Sequence, residues 1–139
     1  MCEASVDKDK AEENGLTALM SASQRGHMEV VRLLCEAGAD KDKASKDGRT
    51  PLFGAAELGH DTCVDLLLKA GADKNKANPY NQTPLYLAAC YGHAACVDLL
   101  VKAGADMNKA DKEGNTPLDI AKANGLTKVV KLLEAAKGI

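Results

Sequence analysis

Hydrophobic and polar residues alternate regularly along this chain, and the alternation is clearest between residues 47 and 82. Residues 51–58 carry apolar side chains at the spacing of one helix face, and residues 61–69 do the same for a second helix. These apolar positions are Leu52, Ala55, Ala56, Cys63, Val64, Leu66, Leu67 and Leu68. Residues 72–82 are mostly polar and include turn formers, which is typical of a loop. The pattern predicts a pair of short helices followed by a connecting turn.

The ends of both predicted helices carry residues that favour helix termini. The Thr50 hydroxyl can cap free backbone N–H groups, and Pro51 suits the first helical position, where its missing N–H is not needed. Gly59 and Gly71 follow the two helices and tolerate the left-handed conformation that often ends a helix. Helices this short are not stable alone in water, so they must be held by packing against other elements.

The helix pair is one copy of a unit that repeats every 33 residues. Each copy carries a threonine followed two residues later by a leucine, and these threonines are Thr17, Thr50, Thr83 and Thr116. A Gly-His pair and a Gly-Ala-Asp triplet recur at the same step in the first three copies. Residues 47–79 and 80–112 are identical at about 20 of 33 positions. Stacking such copies buries one continuous core.

The period of 33, the T-P-L-x-x-A-A segments at 50–56 and 83–89, and the G-H and G-A-D motifs resemble the ankyrin repeat. The resemblance implies an all-α ankyrin-repeat solenoid of antiparallel helix pairs with protruding β-hairpin-like finger loops. It implies a single domain over residues 1–139, in which the fingers and first helices line a concave binding surface. The implied repeats span about 14–46, 47–79, 80–112 and 113–139, the last with a C-terminal cap, after a partial repeat tail at 1–13.

Departures from the shared pattern indicate how the two ends of the stack are finished. Lys122 stands where internal copies have Ala56 and Ala89, and a lysine at a packing position predicts a C-terminal cap that faces water. Ser23 stands at the same place in the first copy, where we expect it to make an exposed end face more polar. We also expect residues 1–13 to be loosely held and the first repeat to unfold first.

The aromatic residues indicate where a partner could bind. Phe53, Tyr80, Tyr86 and Tyr91 all fall on finger or first-helix positions, and tyrosine is a preferred anchor at protein interfaces. Phe53 and Tyr86 could equally pack between repeats, an alternative that the sequence leaves open. We predict that the partner-binding residues are Lys46, Arg49, Leu58, Tyr80, Gln82, Tyr86, Cys90, Tyr91, Asn115 and Asn124.

Charge and hydropathy narrow the class of partner. The formal net charge of −2 argues against binding nucleic acid or an anionic membrane, because both require a basic surplus. No apolar run is as long as a membrane span, and the N-terminal residues lack the apolar core of a signal peptide. We therefore expect a monomer in the cytoplasm or nucleus that binds a partner protein of unknown identity. The lysines and aspartates of the fingers indicate either a solvated edge or a modest preference for an acidic partner.

Residues with catalytic or metal-binding chemistry fit structural roles in this sequence. The five cysteines include no CxxC pair, and Cys63 and Cys96 fall at a core position of the repeat. Cys90 is expected to face outward, but it has no basic neighbour in sequence that would lower the pKa of its thiol. The three histidines each follow a helix-ending glycine, which predicts packing at the turn, and their spacing does not suit a metal site. We predict a non-enzymatic protein with no cofactor and no metal.

Two other interpretations of the chain stay open. It could be an engineered or ancestral ankyrin scaffold without an evolved partner, or a substrate-recruiting fragment of a larger enzyme. Asn75 and Asn108 lie in G-A-D-x-N segments that are similar to ankyrin asparagines modified by asparaginyl hydroxylases. Lys74 replaces the apolar neighbour usual in such segments, so we expect a plain turn-forming role for these asparagines.

Overall fold

The computed structural model describes residues 17–138, which contain eight α-helices arranged as four consecutive pairs. The helices are α1 Ala18–Arg25, α2 Met28–Glu36, α3 Pro51–Leu58, α4 Asp61–Lys69, α5 Pro84–Cys90, α6 Ala94–Lys102, α7 Pro117–Ala123 and α8 Thr127–Lys137. No strand occurs within the described residues. The all-α class is confirmed, and α3 and α4 have the bounds predicted from the sequence. The expectation for residues 1–13 lies outside the described part of the chain.

A threonine caps the first helix of every pair. The hydroxyl oxygen of each threonine accepts a hydrogen bond from the backbone N–H three residues later, at 3.1 to 3.2 Å. At the other end of α3, Gly59 has a φ of 78°, which is the left-handed conformation expected of it. These local signals define the helix bounds before any contact between repeats is considered.

The first helices form one layer of the stack and the second helices form the other. Each first helix contacts the next first helix along the chain, and each second helix contacts the next second helix. Side chains at equivalent positions fill the space between the layers, and they include Leu19, Leu52, Leu85, Leu118, Val31, Val64, Val97, Leu67, Leu100 and Leu133. Burying one such side chain stabilises the folded state by about 1.5–3 kcal/mol, so hydrophobic burial is the main force that joins the repeats.

The finger loops are hydrogen-bonded turns. Each described fingertip is closed by a bond from the backbone N–H of its first residue to the carbonyl oxygen four residues later. The bonded pairs are Ser45 and Arg49, Asn78 and Gln82, and Asp111 and Asn115, with N···O distances of 2.9 to 3.0 Å. In the second of these turns Asn81 has a φ of 65°, a conformation that asparagine tolerates better than most residues.

Neighbouring fingers are tied to one another by side chains. The Asp73 N–H donates to Asp42 Oδ1 at 2.7 Å, and the Asp106 N–H donates to Asn75 Oδ1 at 2.8 Å. Asn75 therefore has a structural role as a link between two repeats. These bonds align the fingers along one edge of the stack.

One position near the end of each first helix shows which side of a repeat faces the next repeat. Ser23, Ala56 and Ala89 are all fully buried, whereas Lys122 at the equivalent place is exposed and lies 3.6 Å from Glu134. The position therefore faces the following repeat, and Lys122 has the place expected of a C-terminal cap. The expectation that Ser23 lies on an exposed end face is wrong, because α3 packs over it.

Candidate protein-interaction surface

Equivalent side chains form rows across the stack, because successive repeats pack in the same orientation. One row lies at the C-terminal ends of the first helices and consists of Arg25, Leu58, Tyr91 and Asn124, which we call the helix-end row. All four residues are exposed, and the exposed fractions of Leu58 and Tyr91 are 51% and 56%. The row therefore presents two large apolar side chains next to each other at the surface.

A cleft of about 410 Å³ opens between the second and third repeats at this row. It is lined by Glu57, Leu58, Tyr91 and His93. The rings of Tyr91 and His93 lie 6.3 Å apart between centroids. His93 Nε2 donates to the carbonyl oxygen of Glu57 at 2.8 Å, so this wall of the cleft is fixed to α3, the first helix of the preceding repeat.

The histidines have the packing role that their position after glycine predicts. His60 Nε2 donates to the carbonyl oxygen of Gln24 at 2.9 Å, as His93 does to Glu57 one repeat later. Each bond ties the start of a second helix to the end of the first helix in the preceding repeat. Neither these two histidines nor His27 caps its own second helix with its side chain.

Arg49 is already engaged within the protein. Its guanidinium lies 3.0 Å from Glu57 Oε1 and 3.4 Å from Asp47 Oδ2, and its Cζ lies 5.8 Å from the centre of the Phe53 ring. The arginine therefore covers Phe53 and reaches from the finger to the end of α3. It was predicted to bind a partner, and the structure gives it a role in shaping the surface as well.

Tyr86 is buried, which corrects its place among the predicted contact residues. Its exposed fraction is 4%, and its Oη donates to Asp111 Oδ2 at 2.7 Å. The ring packs with Phe53 and Leu87, so for Phe53 and Tyr86 the packing interpretation is the correct one. Burial, with the Asp111 hydrogen bond, raises the pKa of Tyr86, and the same hydrogen bond lowers the pKa of Asp111.

Three more predicted residues are half-buried and have internal roles. Gln82 Oε1 accepts from Asn78 Nδ2 at 2.9 Å, and the Asn115 N–H donates to Asp111 Oδ1 at 2.9 Å. Cys90 packs against the Phe53 cluster, so the expectation that it faces outward is wrong in part. Burial raises the pKa of the Cys90 thiol, which makes it a poor nucleophile.

The remaining predicted residues are accessible. Tyr80, at the tip of the third finger, is 65% exposed, and Lys46 and Asn124 are also exposed. Asn124 Nδ2 donates to the carbonyl oxygen of Cys90 at 2.9 Å, which fixes the amide against the preceding repeat. Together with Leu58 and Tyr91, these residues form the part of the predicted set that a partner could contact directly.

The buried cysteines lie in the core, as their repeat position predicts. Cys63 and Cys96 are almost fully buried, and burial raises the pKa of Cys96 to about 12. Among residues 17–138 no three or more His, Cys, Asp or Glu side chains are arranged to hold a metal ion. Over the same range, no helix has both the length and the apolar character that crossing a bilayer requires.

Asp111 and Arg25 are two residues of this surface that reasoning from the sequence missed. Asp111 occupies the position of Ser45 and Asn78, whose side chains also accept bonds from their own turns. That shared capping position is a signal that could have identified its turn-forming role. Arg25 lies 33 residues before Leu58, so aligning the helix ends of all four copies would have placed it in the helix-end row.

Comparison with known proteins agrees with this architecture. A family model described as Ankyrin repeats (3 copies) matches residues 1–78 and 73–139, which together cover the whole chain. No curated protein matches the chain.

Proposed function

The chain belongs to the ankyrin-repeat family, and on that premise we propose that it binds a partner protein through the concave face made by its first helices and fingers. Ankyrin repeats are generally protein-interaction modules and are typically non-enzymatic. The observation that carries the proposal is the exposure of Leu58, Tyr80 and Tyr91 on these elements. Tyrosine is enriched among the few residues that carry most of the binding energy at protein interfaces, and an apolar neighbour such as Leu58 adds hydrophobic burial around it.

The rigidity of the surface supports the same function. Arg49, Asn75, Tyr86 and Asn124 each join one finger or helix to another through side-chain hydrogen bonds or ion pairs. A surface that is ordered before binding loses less conformational entropy when a partner arrives. The half-buried and buried residues of the predicted set therefore contribute by holding the exposed ones in place.

The formal charge of the chain and the ion pairs on its second helices favour a protein partner over nucleic acid or a membrane. The cations Arg32, Lys69 and Lys102 lie on the second helices, and each is within 3.0 Å of a carboxylate. These three residues therefore form no unbalanced basic face. Because the formal net charge is also −2, phosphate groups would find little attraction. We further propose that the module acts as a monomer in the cytoplasm or nucleus, which sedimentation and imaging of the tagged protein would test.

Affinity capture from a lysate of the source cells tests the proposal. The bait proteins are the wild type, the triple variant Leu58→Ala, Tyr80→Ala, Tyr91→Ala, and a control with Lys69→Ala and Lys102→Ala on the outer helices. We expect a protein captured by the wild type and by the control to be lost from the triple variant. Thermal unfolding of all three proteins must show that the variants are folded. Equal capture by the triple variant would contradict the proposed surface.

A further inference from the structure

The cleft between Leu58 and Tyr91 has the size and chemistry of an anchor site. Its volume of about 410 Å³ lies near the lower end of the range for ligand pockets, roughly 300–1,000 Å³, which is room for one or two amino-acid side chains. Two of its four lining side chains, those of Leu58 and Tyr91, are large and more than half exposed. Neighbouring exposed apolar groups of this kind mark interaction sites on soluble proteins.

The carboxylate in the cleft wall is already neutralised. Glu57 is only 14% exposed and lies 3.0 Å from Arg49, which leaves it little capacity to attract a cation from a partner. Asp61, which begins the following helix, directs its carboxylate to the N–H of Thr62 at 3.0 Å. The carboxylate that lines the cleft is therefore a poor candidate for recognising a basic ligand.

The helix-end row provides a positive charge instead. Arg25 is exposed one repeat before Leu58, and it has no ion-pair partner among the described residues. At the other end of the row, Asn124 is neutral and donates to the Cys90 carbonyl oxygen. A ligand lying along the row would therefore meet an apolar cleft at its centre and an unpaired cation on one side.

We propose, as a refinement that rests on the proposed function, that the cleft accepts one apolar side chain of a partner segment whose nearby carboxylate pairs with Arg25. Packed helices lie about 8–10 Å apart, so the apolar side chain and the carboxylate are separated by roughly 10–15 Å along the row. In a helical segment, with its rise of about 1.5 Å per residue, this corresponds to about two to three turns. The partner is thus an acidic, amphipathic segment of a protein.

Selection from a displayed library of random 20-residue peptides tests this chemistry. Peptides are selected on the immobilised wild-type protein, and the enriched sequences are synthesised with a fluorescent label for titration. We expect the enriched peptides to combine a Leu, Phe, Met or Trp with Asp or Glu about two to three turns away. Affinity should fall at least about tenfold with Leu58→Ala plus Tyr91→Ala, and also with Arg25→Glu, which opposes the carboxylate. The exposed control variant Lys69→Glu should change affinity less than about twofold.

The possible outcomes separate this inference from the proposed function. The selected peptides could require Leu58 and Tyr91 for binding while their affinity is unchanged by Arg25→Glu. That result would overturn the inference of an acidic partner and leave the proposed interaction surface standing. Peptides that bind through Tyr80 and are insensitive to Leu58→Ala plus Tyr91→Ala would overturn the cleft as the anchor site. Enrichment of no peptide that depends on these residues would count against both proposals. Circular dichroism of each variant confirms that it is folded before binding is compared.

Discussion

Tyr86 ties the helix α5 to the next finger through a side-chain hydrogen bond. Its ring lies in the buried cluster with Phe53 and Leu87, and its hydroxyl reaches Asp111, which heads the next finger. Asp111 in turn accepts bonds from the N–H groups of Glu113 and Asn115 with its other oxygen. Each buried polar atom of the pair therefore has a partner, which is the condition under which burying such atoms is tolerated.

Removing this hydroxyl should destabilise the protein without altering its shape. For Tyr86→Phe we expect the free energy of unfolding to fall by about 1.5–3 kcal/mol, because a buried hydrogen bond to a charged group is lost and the carboxylate keeps one partner fewer. Tyr91→Phe is the matched control, since Tyr91 is largely exposed and its change should stay within about 0.5 kcal/mol. Urea denaturation measures both values. A loss of the same size in both variants would show that the Asp111 contact contributes nothing specific.

The same pair predicts a pH dependence of stability. The hydrogen bond from Tyr86 lowers the pKa of Asp111 in the folded protein, so the unfolded chain takes up the proton more readily. This contribution is complete above the ordinary Asp pKa of about 4, and is lost as the pH falls below that value toward the folded-state pKa. We expect Asp111→Asn to lose less stability than the wild type between about pH 5 and pH 3. Parallel unfolding free energies over that range would refute the assignment.

Ser23 differs from Tyr86 in the hydrogen bonding of its buried hydroxyl group. It is fully buried beneath the second repeat, and its hydroxyl has no hydrogen-bond partner among residues 17–138. An unsatisfied buried hydroxyl costs about 1–3 kcal/mol. We therefore expect Ser23→Ala to raise the free energy of unfolding by about 1 kcal/mol or more in urea denaturation. Ser21→Ala, on the same helix but partly exposed, controls for the higher helix propensity of alanine, and an equal gain there would remove the hydroxyl as the cause.

At the scale of elements, the helix bounds were predictable because the signals that define them are local. Thr50 and Gly59 stand directly at the two ends of α3, and each acts on backbone groups within four residues. The direction of the Tyr86 side chain was not predictable in the same way, because its partner is 25 residues away in the next finger. The sequence therefore predicted the fold and the exposure of Tyr80 and Tyr91, but it could not distinguish them from the buried Tyr86.

The turn between the two helices of a repeat depends on its neighbour as well as on its own glycine. Gly59 and Gly125 occupy equivalent places with similar φ values of 78° and 67°. A Cβ on Gly59 would lie 2.6 Å from His93 Nδ1, whereas a Cβ on Gly125 would meet no atom of the described residues within 4 Å. The two sites therefore share the backbone strain and differ in the clash with the next repeat.

Replacing each of these two glycines by alanine distinguishes the free-energy cost of backbone strain from the cost of the clash with the next repeat. Gly125→Ala should cost about 1–2 kcal/mol, the usual penalty of a left-handed conformation for a residue with a Cβ. Gly59→Ala should cost about 1–3 kcal/mol more, because the added methyl group displaces the His93 ring and weakens its bond to Glu57. Chemical denaturation of both variants measures the difference. Equal costs would mean that the turn yields without disturbing the following repeat.

At the scale of the whole molecule, the two end repeats are finished differently. Lys122 and its ion pair with Glu134 cover one end with polar groups. In α2, by contrast, Met28, Val30 and Leu33 have exposed fractions of 53%, 45% and 53%. The residues equivalent to Val30, which are Cys63, Cys96 and Val129, are at most 1% exposed. The first described repeat therefore has less of its apolar surface buried than the repeats that follow.

Stability in a repeat array is approximately a sum of repeat and neighbour terms, so uneven burial should produce uneven opening. We expect the backbone amides of α1 and α2 to exchange with deuterium faster than those of α5 and α6, which pack between repeats on both sides. Hydrogen exchange followed by mass spectrometry measures this difference helix by helix. Val30→Ala should also cost less stability than Val129→Ala, because the second side chain is fully covered. Equal protection of the backbone amides from exchange in all helices would mean that the interaction energy between repeats exceeds the differences in their individual stabilities. The array would then open as one cooperative unit.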